Sequence, residues 1–392
     1  MPAHPRNILF LPRWYPHRYD PMPGLFIQRQ AEALASNNHV VVLYVHPDPD
    51  CPSEFEIDYT EVNGVIAIRV YYKIPEIVLP GIYQAMNMIN FYRAHIRGLE
   101  IVGDFTPDII HTHILTREAV IGHLLSRRHH VPHVISEHWS RYFSQNGSYR
   151  GLIRKLITRY VVGKAAAVIA VSEVLKDAMI SCHLANKQYF VVPNVVDLPQ
   201  LIEMPKKRPD FRKQFLHVSC FDDRAKNISG LLEAISKLSK KRSDFLCLLA
   251  GEGPDLESMQ QLARKLGLTG KTVIFTGLKG GQDLTVLYEE ADFTVLSSRY
   301  ETFGTVLVES LACGTPVLST AVGIAPEIIN NRNGILIPPN DNDALVEAID
   351  LMLDMNSSLD REAIRKEVID RYTSQLVGSQ LSAIYSQIAG DV

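Results

Sequence analysis

The sequence has few cysteines and no surplus of either charge. An odd number of scattered thiols does not form a disulfide framework, so a disulfide-stapled secreted fold is excluded and a reducing compartment is favoured. The 40 basic and 43 acidic residues give a net charge of −3. This balance argues against nucleic acid as the main partner, because neutralising its phosphates needs a basic excess. None of the five cysteines is spaced as a metal-ligand pair: Cys51, Cys182, Cys220, Cys247 and Cys313.

Long apolar runs and targeting patterns are also missing. No window holds about 18 uninterrupted apolar residues, so no membrane-spanning helix is expected. Residues 1–12 do not show the basic, apolar and small-residue order of a signal peptide. We therefore expect a cytoplasmic protein. Apolar residues make up 46% and charged residues 21% of 392 positions, which is typical of a globular chain of about two domains.

Short β-branched runs alternate with helical patterns along the whole chain. This alternation predicts an α/β protein with parallel sheets and helices on both faces. The predicted strands cover 8–11, 40–45, 65–71, 109–111, 133–136, 167–171, 190–192, 215–219, 245–250, 273–276, 293–296, 316–319 and 334–337. The predicted helices include 25–36, 83–99, 117–128, 152–163, 228–239, 256–266, 307–312, 344–353 and 362–371.

A linker is predicted between the two halves. Residues 197–210 contain three prolines and a short basic run, so we place the boundary near residue 205. Ligands of open α/β sheets bind beyond the carboxyl ends of the strands. The cleft between the halves is therefore the expected site.

The densest motif lies at residues 291–317. A strand ends near Ser297, and a helix begins near Thr305 after Gly304. The first turn of such a helix offers free N–H groups and a positive dipole end to a phosphate, and glycine lets a ligand approach the backbone. Glu309 on the helix can accept two hydrogen bonds from a ribose diol. The alternative is that Glu301 and Glu309 are surface residues of a crossover helix.

The order of these residues resembles a known family. Seven residues separate Glu301 from Glu309, Phe303–Gly304 among them, and Ala-Cys-Gly-Thr-Pro follows at 312–316. This arrangement resembles the nucleotide-sugar site of retaining glycosyltransferases of family 4. Further stretches that look like the family's lie at 192–197 (Val-Pro-Asn-Val-Val-Asp), 250–254, 273–277 and 321–327.

The resemblance implies the GT-B fold, in which two Rossmann-like doubly wound domains face a central cleft. Residues 1–205 would form the acceptor-binding domain and residues 206–373 the donor-binding domain. The C-terminal helix, 374–392, would cross back to the first domain. The implied activity is transfer of a hexosyl-type sugar, with retained anomeric configuration, from a nucleotide-diphosphate sugar to a hydroxyl. The acceptor would be a carbohydrate or lipid-linked molecule of glycan, polysaccharide or glycolipid biosynthesis, and no cofactor or metal is expected.

The resemblance also implies a catalytic set of Lys226, Glu301 and His138. Lys226 follows the first strand of the second half, near the donor diphosphate, where a cation would stabilise the leaving group. Glu301 and the N–H groups near 303–305 would orient the donor sugar. His138 follows the strand at 133–136 and would lie near the reaction centre, with Glu137 and Trp139 beside it shaping the acceptor site. The implied donor-binding set is Glu309, Phe303, Gly304, Thr305, Arg224, Gly24 and Asn194.

The chain departs from the family at two places. The family commonly has Gly-Arg after the strand at 215–219, whereas this chain has Ser219 and Cys220. Arg224, in the same loop, is the candidate for the missing cation. The family's glycine-rich loop keeps a single glycine here, Gly24, which is either a donor contact or a simple turn glycine before a helix.

The histidines and the basic stretch each have two interpretations. His111 and His113 are either metal ligands without an obvious third partner or structural and acceptor-side residues, and we favour the second. Residues 141–176 carry seven Lys or Arg and one acid, Glu173. Their apolar and basic residues alternate at helical spacing over 151–162. This pattern is typical of a crossover helix and also of peripheral contact with the anionic inner face of a membrane.

Other classes of function remain as alternatives. A nucleotide-sugar epimerase of the same fold would convert the donor without an acceptor, and a non-catalytic protein would only bind it. An NAD-dependent dehydrogenase would need Gly-x-Gly-x-x-Gly after a first strand. Residues 12–24 lack that motif, and the stretch that begins Gly251-Glu-Gly253 has Leu256 at its third glycine position. The nucleotide base, the sugar and the acceptor stay open.

Overall fold

The computed structural model describes residues 5–76, 79–197, 212–355 and 359–389. The described chain forms two Rossmann-like α/β halves, each built on a largely parallel sheet, as the alternation predicted. The predicted boundary near residue 205 lies outside the described residues.

The first half contains an eight-stranded sheet with the order β3-β4-β2-β1-β5-β6-β7-β8. Its strands are β1 (Asn7–Pro12), β2 (His39–Asp48), β3 (Phe55–Val62), β4 (Val65–Lys73), β5 (Ile109–His113), β6 (His133–Glu137), β7 (Ala167–Ala170) and β8 (Tyr189–Val191). Its helices are α1 (Leu25–Ala35), α2 (Pro80–Val102), α3 (Arg117–His129), α4 (Leu152–Lys164) and α5 (Glu173–Ser181), with a 3₁₀ turn at Ser140–Tyr142.

The second half contains a six-stranded sheet with the order β11-β10-β9-β12-β13-β14. Its strands are β9 (Lys213–Val218), β10 (Phe245–Ala250), β11 (Val273–Gly277), β12 (Phe293–Leu296), β13 (Val317–Thr320) and β14 (Gly334–Ile337). Its helices are α6 (Asp223–Lys226), α7 (Ile228–Leu238), α8 (Leu256–Lys265), α9 (Gly281–Glu290), α10 (Thr305–Ala312), α11 (Ala325–Ile328), α12 (Asn342–Met355) and α13 (Arg361–Val368), followed by the C-terminal α14 (Ser374–Ala389).

Each predicted strand and helix is present, with its ends moved by up to three residues. One strand was missed. β3 pairs antiparallel with β4 through a turn at Asn63 and Gly64, both of which have positive φ. β3 is half exposed and rich in acidic residues, so it lacks the apolar run that identifies a strand buried on both faces.

The final helix returns to the first half. A Cβ at Gly378 of α14 would lie 2.6 Å from the carbonyl oxygen of Ala33 in α1. The backbones of the two helices therefore approach each other closely at this glycine. Tyr385 of the same helix places its hydroxyl 2.6 Å from His111 Nδ1. The predicted helix therefore lies on the first half, while its last three predicted residues, 390–392, lie outside the described residues.

The halves meet at the carboxyl ends of their strands. The Ser172 hydroxyl, at the start of α5, donates to the carbonyl of Thr302 at 2.6 Å. The backbone N–H of Val196 donates to the carbonyl of Tyr372 at 3.1 Å. One apolar cluster contains residues of both halves. These contacts bring the loops after β6, β9 and β12 to one cleft.

Candidate active site

An ion pair lies between the loops that follow β9 and β12. The Lys226 ammonium is 2.5 Å from Glu301 Oε1, and the two side chains are 17% and 12% exposed. The Ser298 hydroxyl donates to the same carboxylate oxygen at 2.9 Å. The structure therefore brings two of the three predicted catalytic residues into direct contact.

The ammonium of Lys226 keeps its charge at neutral pH. Burial opposes that charge, but the neighbouring Glu301 carboxylate outweighs it, and the pKa of Lys226 is raised. The site thus holds a charged ammonium beside the cleft, paired with the Glu301 carboxylate. An anionic ligand that binds there can interact with the Lys226 ammonium directly, because the lysine is already protonated.

The two loops are fixed to one another by hydrogen bonds to backbone carbonyls. Ser297 Oγ donates to the carbonyl of Lys226 at 3.0 Å, and the N–H of Arg299 donates to the carbonyl of Ala225 at 2.7 Å. The Arg299 guanidinium also donates to the carbonyl of Asp223. The position of Lys226 is therefore set before any ligand binds, as electrostatic preorganisation requires.

The start of α10 is shaped by the residues before it. Gly304 has a φ of +91°, in the left-handed region that favours glycine. Phe303 is buried, and its carbonyl accepts from the N–H of Ile324 at 2.8 Å. In this first turn the N–H of Leu307 donates to the carbonyl of Gly304 at 3.0 Å. A helix start leaves its first N–H groups, here those of Thr305 and Val306, without an intrahelical acceptor, and such groups suit an anion.

Glu309 lies in the body of α10 and is held by a tyrosine. The Tyr288 hydroxyl donates to Glu309 Oε2 at 2.9 Å. Burial raises the pKa of Glu309, and Arg29 of α1 acts in the opposite direction. Since Arg29 pairs with Asp197, the Glu309 carboxylate faces charged groups of the first half across the cleft.

Glu137 fixes the loop after β6. Its carboxylate accepts hydrogen bonds from the N–H groups of Leu115, His138 and Trp139, at 2.8–2.9 Å, and from the Tyr142 hydroxyl at 2.7 Å. Burial raises its pKa, and the backbone donors counter that rise. With its oxygens occupied in this way, Glu137 fixes the positions of its neighbours His138 and Trp139.

His138 is buried at the floor of the cleft. Its Nε2 is 3.3 Å from His113 Nδ1, and its ring lies 4.6 Å from that of Phe26, centroid to centroid. Burial lowers the pKa of His138 to about 3, so the imidazole is neutral, and nearby Asn194 opposes that shift. Within the described part of the chain, neither His138 Nδ1 nor Asn194 Oδ1 has a hydrogen-bond partner. The predicted residues His138 and Asn194 thus lie together and retain polar atoms for a ligand.

The two other strand-end histidines are packed into the core. His111 lies between the Tyr385 hydroxyl and Ser136 Oγ, at 2.6 and 2.7 Å. Burial holds the pKa of both His111 and His113 well below the ordinary value. Among the described residues, no group of three or more His, Cys, Asp and Glu side chains is arranged to hold a metal ion. The contacts of His111 are those of a structural residue.

Gly24 and Arg224 lie at the edges of this arrangement. Gly24 has a φ of +73°, and a Cβ there would be 2.2 Å from the carbonyl oxygen of Trp14. Local packing and the positive φ therefore require glycine at position 24. This agrees with the interpretation of Gly24 as a turn glycine before a helix. The exposed Arg224 donates to the carbonyl of Asn146 in the first half. Its guanidinium joins the two halves in this structure.

Three site residues were not predicted: Tyr288, Ser298 and Arg29. Tyr288 comes from α9 and Arg29 from α1, and each reaches the site only through tertiary packing. Neither lies in a motif. Ser298 follows the end of β12 and precedes Glu301 in the same loop. Its position at the carboxyl end of a strand was the one sequence feature that could have indicated a site residue.

Both halves of the chain match profiles of known protein families. The profile described as "Glycosyltransferase Family 4" matches residues 24–200, and that described as "Glycosyl transferases group 1" matches residues 201–370. Alpha-monoglucosyldiacylglycerol synthase of Streptococcus pneumoniae is 25% identical over 315 residues, covering 75% of this chain and 71% of that protein.

Solved structures share the fold over almost the whole chain. The sucrose-phosphate synthase of Thermosynechococcus elongatus has a TM-score of 0.75 at 21% identity, covering 98% of this chain and 99% of that one. The Anabaena protein Alr3699/HepE, solved with UDP and glucose, has a TM-score of 0.71 at 17% identity, covering 97% and 100%. Both halves match glycosyltransferase profiles and the two-domain fold matches these structures, so the chain is a glycosyltransferase of the GT-B fold.

Proposed function

We propose that this glycosyltransferase moves a hexosyl-type sugar from a nucleoside-diphosphate sugar to a hydroxyl acceptor, with retention of anomeric configuration. The observation that carries the proposal is the Lys226–Glu301 pair in the loops before α10, a helix whose start receives no side-chain cap from the described residues. A diphosphate is the ligand that uses both features.

Each residue then has a chemical task. Lys226 neutralises charge on the diphosphate as the anomeric C–O bond breaks, and Glu301 orients the donor sugar. Glu309, held by Tyr288, accepts hydrogen bonds from the ribose diol. The neutral His138 offers Nδ1 to a hydroxyl near the reaction centre. The acceptor oxygen bonds to the anomeric carbon, and its proton passes to the departing phosphate oxygen, so no metal is required for charge balance.

Donor and acceptor screens test this proposal. Purified protein is incubated with UDP-, GDP- and ADP-sugars, with and without a pool of carbohydrate and glycolipid acceptors, and nucleoside diphosphate release is measured. We expect release that depends on an acceptor, and a product whose anomeric proton coupling matches the donor. Conversion of the donor alone would instead identify an epimerase, and inversion at the anomeric carbon would refute retention.

The outer face of α4 supports a further proposal, that the acceptor is reached at a membrane surface. Leu152 and Ile153 are each 74% exposed, and Leu156, Ile157 and Tyr160 on the same helix are also exposed. Basic side chains flank this apolar face, which suits an anionic bilayer. No helix in the described ranges is long and apolar enough to cross a membrane.

Vesicle co-sedimentation tests the α4 face. We expect the protein to bind vesicles of phosphatidylglycerol and phosphatidylcholine better than vesicles of phosphatidylcholine alone. The Leu152→Ser/Ile153→Ser variant should lose most of that binding, since each side chain would otherwise bury its exposed area in lipid. The matched control is Leu278→Ser/Leu351→Ser, which removes two exposed leucines of the second half. Equal loss in both variants would refute a role for this face.

A further inference from the structure

A basic cavity lies beside α4 in the first half, and it shares Tyr142 with the residues around Glu137. It has a volume of about 380 Å³ and lies between the loop at 141–150, the side of α4 and the end of α5. Four cations line it, namely Arg141, Arg150, Lys155 and Arg159. Among the residues that the structure describes around the cavity, none is Asp or Glu.

Little negative charge compensates the cations of the cavity, although the Glu137 carboxylate acts on Arg141. In the described chain none of the four forms an ion pair with a carboxylate. Arg141 is 7% exposed and its guanidinium stacks on the Trp139 ring at 3.4 Å, yet no described residue bonds to its Nε. Arg159 Nε is also buried, and it too has no hydrogen-bond partner among the described residues. Buried donors without partners are rare in folded proteins, so these groups point to a missing acceptor.

The end of α5 also lines the cavity, through Ser181 and Cys182. A helix C-terminus carries a partial negative charge of about half a unit. Four full positive charges on the other walls exceed it. Burial lowers the pKa of Arg141, and the nearby Tyr142 and Glu137 act in the opposite direction without reversing it.

We propose that this basic cavity binds a phosphate ester. Arginine forks and a lysine placed around one space suit the several oxygens of a phosphate, which accept charge-assisted hydrogen bonds from different sides. The volume of about 380 Å³ exceeds a bare phosphate, so the cavity accommodates the glycerol or sugar that carries it.

Residues that line the cavity also contact the candidate active site. Phe143 lines the cavity, and its ring lies 6.3 Å from that of Tyr300, the residue before Glu301. Asn146, in the same loop, accepts a hydrogen bond from Arg224. The phosphate ester is therefore part of the acceptor or of the lipid surface that presents it. This second assignment rests on the proposed function, whereas phosphate binding does not.

Titration with soluble and membrane-bound phosphate esters tests the proposal. Glycerol 3-phosphate, with glycerol as the neutral control, is titrated at low salt by calorimetry without any nucleotide. Phosphatidylglycerol vesicles, with phosphatidylcholine vesicles as control, form the second arm. The variant is Arg150→Gln/Lys155→Gln, which changes exposed or half-exposed side chains, and the matched control is Lys240→Gln/Lys241→Gln in the second half.

We expect the cavity variant to weaken the binding of the phosphate ester by about tenfold or more, because each charge-assisted hydrogen bond contributes at least that factor. The control variant should bind as the wild type does. Binding of glycerol 3-phosphate assigns a soluble ester. Binding of phosphatidylglycerol vesicles without glycerol 3-phosphate assigns a lipid headgroup if the cavity variant loses it while the Leu152→Ser/Ile153→Ser variant retains saturable binding of phosphatidylglycerol dispersed in detergent micelles. Absence of both, or equal weakening in both variants, overturns the proposal. Glycosyl transfer is measured in a separate assay. A failure of the proposed function is therefore distinguishable from a failure of the cavity to bind a phosphate ester.

Discussion

Replacing Lys226 by methionine removes the cation from the site while keeping most of its volume. The Glu301 carboxylate then keeps the Ser298 hydroxyl as its one remaining side-chain partner in the described chain. Glu301→Gln makes the reverse change and leaves the ammonium with a neutral amide. The two substitutions combined remove both charges together.

The expected cost follows from the burial of the pair. Removing one partner of a fully buried ion pair costs about 3–5 kcal/mol. Here the side chains retain 17% and 12% exposure, so water screens the charge that remains. We therefore expect Lys226→Met to lower the free energy of unfolding by about 2–3 kcal/mol, or Tm by roughly 5–10 °C. The double variant should lose about 1–2 kcal/mol less than the sum of the single variants.

Urea unfolding without nucleotide measures these differences, and steady-state turnover is measured on the same preparations. Loss of the leaving-group cation should lower kcat by about 10²–10³-fold. Lys226→Arg, which keeps the charge, is the control and should recover part of kcat. The reasoning is refuted if the double-mutant cycle gives a coupling below about 0.3 kcal/mol, within the additivity of independent sites, or if Lys226→Met turns over as the wild type does.

Three further predictions use calorimetry or urea unfolding. Gly24→Ala should lower the free energy of unfolding by about 3 kcal/mol or more, since Gly24 has a φ of +73° and an added Cβ would overlap the backbone. Gly163→Ala, in a helix with open space around it, should be neutral or stabilising, and similar effects of the two substitutions would contradict the prediction. Tyr288→Phe should cost about 1–3 kcal/mol and weaken donor binding, because the buried Glu309 carboxylate loses its donor; unchanged nucleotide affinity would contradict the second part. His138 has a folded pKa of about 3, so its unfolded form binds a proton first and stability falls as pH drops below about 6.5. His138→Gln should reduce that slope by up to about 1.4 kcal/mol per pH unit, and an unchanged slope would contradict the assignment.

The sequence predicted most of the fold because its strands are apolar runs bounded by clear breakers. The exceptions have physical reasons. β3 is acidic and half exposed, so it carries little hydrophobic signal. The antiparallel pairing of β3 with β4 depends on the turn at Asn63–Gly64, an Asn-Gly pair of the kind that favours two-residue hairpin turns.

The candidate site was predictable where one loop carries it. Glu301, Gly304 and Glu309 lie within a single strand-loop-helix segment, so their spacing alone places them together. The contact between Lys226 and Glu301 joins residues 75 positions apart. It depends on how β9 and β12 pair, which no local pattern specifies. Tyr288 and Arg29 reach Glu309 from other helices for the same reason.

The basic stretch at 141–176 shows how much a pattern leaves open. Alternation of apolar and basic residues predicted α4 and its two faces. It did not predict that Arg141 turns inward onto Trp139, or that Lys155 and Arg159 line a cavity. Those positions follow from the packing of the loop at 141–150 against α4 and α5.

Acceptor-dependent release of nucleoside diphosphate, measured for the wild type and Lys226→Met side by side, tests the central claim most directly. The account predicts that at least one nucleotide sugar is turned over only when an acceptor is present. It also predicts that the variant, still folded, loses this turnover by about 10²-fold or more. Turnover that is equal in the two proteins, or its absence with every donor and acceptor pair, would contradict it.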